Sequence, residues 1–312
     1  EAIGIYLQLY LSKLSMRKLF LFAFILIACK SNTESTVYSD FEIGIIADCQ
    51  YCDCDTENNR FYRKSPDKFK FAIEKLNTKN LDYTIHLGDF IDRNFESFDT
   101  VLPIWNRLKS EKYHVLGNHD FSVIDSLKAS VPKKMGLHNR YYSFVKNNWR
   151  FIVLDGNDLS FHGALTNEKR KETDSLFNLL EKENTPGVKP WNGGLSLEQL
   201  EWVKQELDTA TSAGENVGFY CHFPALKDDE IHKLWNCNQF LELIEPYENI
   251  KFYFNGHNHN GGYLDLNGVH YLTFKGMLDT SDSTAFSVVK FTKDSIFVSG
   301  YGREASRALK IK

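Results

Sequence analysis

Five short apolar runs in this chain each close on side chains of the kinds that hold metal ions. The run 41–47 leads into Asp48-Cys49-Gln50, 83–87 into Gly88-Asp89-Phe90-Ile91-Asp92, and 113–116 into Gly117-Asn118-His119-Asp120. The run 217–220 precedes His222, and 251–254 precedes Gly256-His257-Asn258-His259. Apolar runs this short, bounded by Gly, Asn and Asp, read as buried strands. Strand ends in a layered α/β protein gather along one edge, where ligands bind. Carboxylate, amide oxygen and imidazole suit hard to borderline divalent cations. The fold must therefore carry these five ends to one place.

The segments between the runs support such layering. Ser65 caps a helical pattern with Pro66 in its first turn and Phe69, Ile73 and Leu76 on one face. A second pattern starts at Ser196, with Gln199 completing a capping box and Leu200, Val203 and Leu207 facing inward. With a further strand at 151–154, the alternation argues for a single α/β domain over 41–312. Near the C-terminus, Asn267-Gly268 marks a hairpin within 262–274, and 285–291 and 295–299 read as further strands, predicting added antiparallel pairing. The stretch 158–194 is irregular apart from a helical pattern near 171–183, and is a candidate lid or substrate-recognition insert. A formal charge of −4 leaves no basic surplus for nucleic acid, while small phosphorylated ligands need only local positive charge.

The N-terminus reads as an address. After Met16 come Arg17 and Lys18, an apolar core at 19–27, and Leu26-Ile27-Ala28-Cys29 before a polar stretch to Asp40. The apolar core is too short for a comfortable membrane span. The pattern resembles a bacterial lipoprotein signal, which implies cleavage before Cys29, acylation of that cysteine and a membrane anchor on the periplasmic or cell-surface side. An ordinary secretory signal or an uncleaved anchor is the alternative. Residues 1–15 read as an upstream extension and 29–40 as a flexible tether. Cys49, Cys52 and Cys54 lack the second thiolate pair that a structural zinc site needs, and a disulfide among them stays open.

The five motifs, in this order, resemble the calcineurin-like metallophosphoesterases, whose strand ends carry D-x-H, GD-x-x-D, GNHD or GNHE, a single His and GH-x-H. The resemblance spans residues 41–260. It implies a four-layer αββα sandwich of two mixed β-sheets flanked by helices. It also implies one metal held by Asp48, Gln50 and His259, another held by Asn118, His222 and His257, and Asp89 bridging them. Position 50 is Gln where most of the superfamily has His. A neutral oxygen is harder than imidazole and tilts that site away from zinc. In finer detail the chain is similar to the manganese-dependent ADP-ribose/CDP-alcohol diphosphatases, at 46–51, 60–65, 115–121, Asn192-Gly193-Gly194, Trp235-Asn236, 257–263 and the tail 268–276. That implies two divalent ions, manganese first with iron, magnesium or zinc as alternatives, and a nucleoside diphosphate derivative as partner.

With Asp48 and Asp89 as the anionic ligands, two divalent ions leave about two positive charges to attract a diphosphate. The family mechanism is in-line attack by a hydroxide shared between the ions. His119 is the family's candidate for the proton or countercharge at the leaving group, with Asp92 holding its other nitrogen and Asp120 a weaker partner. Arg60 and Arg63 are candidate phosphate forks, with Arg93 a further one, and Trp235 or aromatics of the insert are candidate base-stacking surfaces. His86, His114, His138, His162, His232 and His270 are left out of the site as surface or hydrogen-bonded residues. A phosphomonoesterase or cyclic-nucleotide phosphodiesterase is the alternative activity. A non-catalytic, surface-tethered binding protein ranks last, because no ligand is missing.

Overall fold

The computed structural model describes residues 39–226 and 231–311; the signal-like segment, Cys29 and the tether up to residue 38 lie outside them. One sheet runs in the order β12-β11-β10-β1-β2-β3, formed by β1 (Phe41–Ile46), β2 (Tyr83–His86), β3 (Glu111–His114), β10 (Ala285–Phe291), β11 (Ser295–Gly302) and β12 (Arg307–Lys310). The other runs β4-β5-β6-β7-β9-β8, from β4 (Tyr142–Lys146), β5 (Trp149–Val153), β6 (Asn216–Tyr220), β7 (Ile250–Asn255), β8 (Gly262–Leu266) and β9 (Val269–Thr273).

Alternation along the central strands builds the layers. Ile43, Ile45, Phe151, Val153, Phe252 and Phe254 share one apolar layer between the sheets. Their neighbours turn the other way, Ile46 under the Phe69, Ile73, Phe98 and Trp105 side chains and Ile152 and Tyr253 under Leu200, Val203, Leu207 and Phe240. Full burial of each such side chain contributes roughly 1.5–3 kcal/mol. The helices Ser65–Leu76 and Ser97–Trp105 thus cover the first sheet, and Leu197–Ala213 and Cys237–Ile244 the second. This is the αββα sandwich of two mixed sheets.

Four expectations change in detail. Ser65 does not cap the first helix but is its first residue, after Lys64 at the N-cap, and its buried hydroxyl makes no capping hydrogen bond. The hairpin turns at Asn267 and Gly268, with φ of 56° and 81°, and β8 and β9 are antiparallel, but β9 joins β7 in parallel. Ser196 accepts from the Gln199 N–H at 3.2 Å, yet the Gln199 amide is drawn to the backbone of Asp155, so only half of the capping box forms. The helix of the insert spans Asn167–Lys182, earlier than its apolar pattern suggests, because Thr166 accepts from Lys169 N at 3.2 Å and starts it there. Parallel neighbours run through both sheets, β1, β2 and β3 in one and β5, β6, β7 and β9 in the other. All five motif-bearing strands are among them, which is what brings their ends together.

Candidate metal centre

The strand ends turn abruptly at the residues that carry the chemistry. Asp48, Gln50, Asp89 and His257 have φ of 51°, 45°, 54° and 70°, the left-handed region that non-glycine residues rarely adopt. Strain of this kind persists only where surrounding structure over-determines it. The glycines of the motifs permit the close approach: a Cβ on Gly117 would strike Asp89, and one on Gly256 would lie 2.7 Å from Asp48 Oδ2.

Two groups of ligand atoms result, Asp89 with His222 and His257, and Asp48 with Asp89 and His259, each with its atoms within 4.8 Å of one another. Asp89 belongs to both. In the first, His222 Nε2 lies 3.2 Å from Asp89 Oδ2, 3.1 Å from Asn118 Oδ1 and 3.1 Å from His257 Nδ1. In the second, His259 Nε2 lies 3.6 Å from Asp48 Oδ1. Five of the residues expected to ligate form these groups, Asn118 joins them through His222, and Gln50 lies beside Asp89, to whose carbonyl oxygen its backbone N–H donates at 2.7 Å; Asp48, Gln50, Asp89, Asn118 and His222 are buried.

Each imidazole is held from behind by an acceptor. His222 Nδ1 donates to Leu87 O at 2.9 Å, His257 Nε2 to Asn192 Oδ1 at 2.8 Å, and His259 Nδ1 to Asp279 Oδ1 at 3.0 Å. The opposite nitrogen of each ring is thereby turned to the acidic cluster, as in metal-binding histidines. Gln50 is oriented likewise. Its Nε2 donates to Asp92 Oδ2 at 3.1 Å, leaving Oε1 buried without a partner, as is Asp48 Oδ2. Burial pushes Asp48 up to about 6 and opposes charge on His222, yet Asp89 and then Asp48 push His222 up to about 9. The cluster demands positive charge at its centre. Its orphaned oxygens and converging ring nitrogens fit two divalent cations, which would take the place of any proton on those nitrogens. Asn192 and Asp279 escaped sequence reasoning; Asn192 stood only within a matched tract, and nothing local marks Asp279.

The calcineurin-like phosphoesterase model matches residues 41–261. The chain belongs to the calcineurin-like phosphoesterase family. Two proteins named manganese-dependent ADP-ribose/CDP-alcohol diphosphatase are each 29% identical to it, one from Xenopus laevis covering 86% of this chain and 90% of that protein, the other from Homo sapiens covering 87% and 93%. The crystal structure of a dimetal phosphatase from Danio rerio superimposes with a TM-score of 0.78 at 27% identity, over 87% of this chain and 99% of that one. This phosphoesterase is a metal-dependent phosphohydrolase with a dinuclear centre.

The centre opens into a cavity of about 500 Å³ whose lining includes His119, Arg60, Trp191 and Ile231. His119 places Nδ1 2.9 Å from Asp92 Oδ1, so one carboxylate holds both His119 and Gln50. Burial opposes protonation of His119, but Asp89 and the bond to Asp92 hold its imidazole above the usual range. Asp120 is no partner for it: its carboxylate accepts from the N–H groups of Gly117, Phe90 and Ile91 and braces the two loops. Arg60 lines the cavity, but Arg63 does not. It is half exposed and paired with Asp53 and Asp55 at 2.5 Å each. Arg93 pairs with Glu57 at 2.7 Å and is absent from the lining. Trp235 is 2% exposed, packs on Phe161 and Phe177 and donates Nε1 to Lys189 O at 2.9 Å, so it is a core residue and no stacking surface. The cysteine cluster resolves into a Cys52–Cys54 disulfide and a buried Cys49 whose thiol is pushed up by burial.

Proposed function

We propose that this phosphoesterase cleaves the diphosphate bond of nucleoside diphosphate-alcohols and sugars of the ADP-ribose, CDP-choline and CDP-glycerol type, releasing a nucleoside monophosphate and a phosphorylated alcohol or sugar. The observation that carries the reading is the near end-to-end likeness to relatives named for that activity. The site's own chemistry is compatible with it.

Two divalent cations, manganese by the relatives' names, would be held by Asp48, Gln50 and His259 and by Asn118, His222 and His257 with Asp89 shared; bound there they would supply Lewis acidity and activate water toward phosphorus. His119 then handles the departing group. With Nδ1 fixed by Asp92, its Nε2 is the nitrogen left for substrate, and a protonated imidazole there gives a proton to the leaving phosphate oxygen. Arg60 answers the second phosphate from the same cavity. Its guanidinium is charged: burial works against the charge, but the Tyr62 hydroxyl and then the Asp89 and Asp92 carboxylates hold it above the ordinary value.

The test is a manganese-supplemented assay of ADP-ribose, CDP-choline and a simple aryl phosphate. Release of AMP with ribose 5-phosphate, and of CMP with phosphocholine, is the expected result. Turnover of the aryl phosphate alone would move the enzyme to the phosphomonoesterases.

A further inference from the structure

Trp191 is the one tryptophan that the described fold leaves exposed. Trp105, Trp149 and Trp235 are at most 2% exposed, and Trp202 is half-buried with its ring 4.8 Å from that of Tyr141. Trp191 is 43% exposed, has no aromatic partner among the described residues, and lines the cavity above the metal centre. Ile231, 49% exposed, lines the same cavity.

The placement of this indole is built rather than incidental. The next residue, Asn192, is buried, and its side chain ties three segments together. Oδ1 accepts from His257 Nε2 at 2.8 Å, while Nδ2 donates to Gly187 O at 2.9 Å and to Ile231 O at 2.7 Å. The backbone carrying Trp191 is thereby fixed to a histidine of the metal cluster. The same amide ties down the backbone of Ile231. The cavity thus combines a floor of Asp89, His119 and His257 with a flat apolar surface at its rim. A bare diphosphate ester needs only the floor. A ligand with a planar aromatic ring joined to a diphosphate uses both.

We propose that Trp191, supported by Ile231, is the surface on which the nucleobase stacks, and so the residue that distinguishes nucleoside diphosphate derivatives from other diphosphate esters. This rests on the function proposed above. Stacking of a base on an aromatic side chain accounts for roughly 1–3 kcal/mol by alanine substitution, about 5- to 150-fold in affinity.

The experiment compares KM and kcat of the manganese-loaded wild type, Trp191→Ala and Trp191→Phe on ADP-ribose and on P1,P2-diethyl diphosphate, which has no ring. In Trp191→Ala the KM for ADP-ribose should rise about tenfold more than that for the diethyl ester, with the loss carried by KM rather than kcat, and Trp191→Phe should recover most of it. AMP should quench the tryptophan emission of the wild type more than that of Trp191→Phe. Equal effects on both substrates, or an unchanged KM for ADP-ribose in Trp191→Ala, overturn the stacking role. A wild type that leaves ADP-ribose intact overturns the functional reading itself, which keeps the two failures apart.

Discussion

His119 sits where two networks meet. Its backbone N–H donates to Asp89 Oδ1 at 2.8 Å, while its ring is held by Asp92. Its side chain contributes no atom to either ligand group. Replacing His119 with Asn should therefore lower kcat by about 10²–10⁴-fold while metal content, measured by elemental analysis, stays at the wild-type level. Equal loss of metal would make it a ligand instead. Asp279 behaves in the opposite way. It orients His259 from behind, so Asp279→Ala should weaken manganese affinity about 10–100-fold in a calorimetric titration, and unchanged affinity would contradict that role. At this scale the ligands were legible because each stands immediately after a strand in a fixed motif. Asp279 was not, because an orienting carboxylate has no spacing rule of its own. Arg63 and Trp235 misled for a related reason: a residue type names a capacity, while the partners found in three dimensions, Asp53 and Asp55 for the one and Phe161 and Phe177 for the other, decide its use.

Among the elements, β2 and β3 carry an unusual pair. His86 and His114 face each other across the ladder, their rings 6.1 Å apart among Phe69, Phe90 and Trp105, and neither nitrogen of His114 has a hydrogen-bond partner. Burial holds His114 at about 3 against an ordinary 6.5, and burial, then His114, holds His86 well below that value. The unfolded chain thus binds protons that the folded chain refuses. The stability from these neutral rings is complete above pH 6.5 and is lost as pH falls toward 3, at up to about 1.4 kcal/mol per pH unit for each imidazole. Urea unfolding at pH 7 and pH 5 should show a smaller loss for His114→Phe than for the wild type; identical losses would place the acid sensitivity elsewhere. The central strands announced themselves as continuous apolar runs. Strands β4 and β12 did not, because they lie at sheet edges where half-exposed positions dilute the pattern. The pairing of β9 with β7 was also beyond local reading: a hairpin turn fixes the direction of its own two strands and says nothing about the next neighbour.

For the whole molecule, the layered domain and the N-terminal address are separate matters. Cys29 lies outside the described residues, and we propose that it anchors an exported enzyme to a membrane through an attached lipid. Cells fed labelled palmitate should incorporate it into the wild type and not into Cys29→Ser, and label retained in the variant would contradict the anchor. The α/β class was legible because six apolar runs alternate with helical patterns, and the four-layer sandwich followed only from the family resemblance; the meeting of the two sheets at one edge needed coordinates. Here His257 N donates to Asp48 Oδ1 at 3.1 Å, joining the end of β7 to the end of β1. The dinuclear centre depends on that meeting and on Asp89 serving both groups. Anomalous diffraction at the manganese edge from crystals grown with manganese tests it most directly. Two peaks about 3.5–4 Å apart, with the Asp89 carboxylate between them, are predicted; one peak, or two that do not share Asp89, would contradict it.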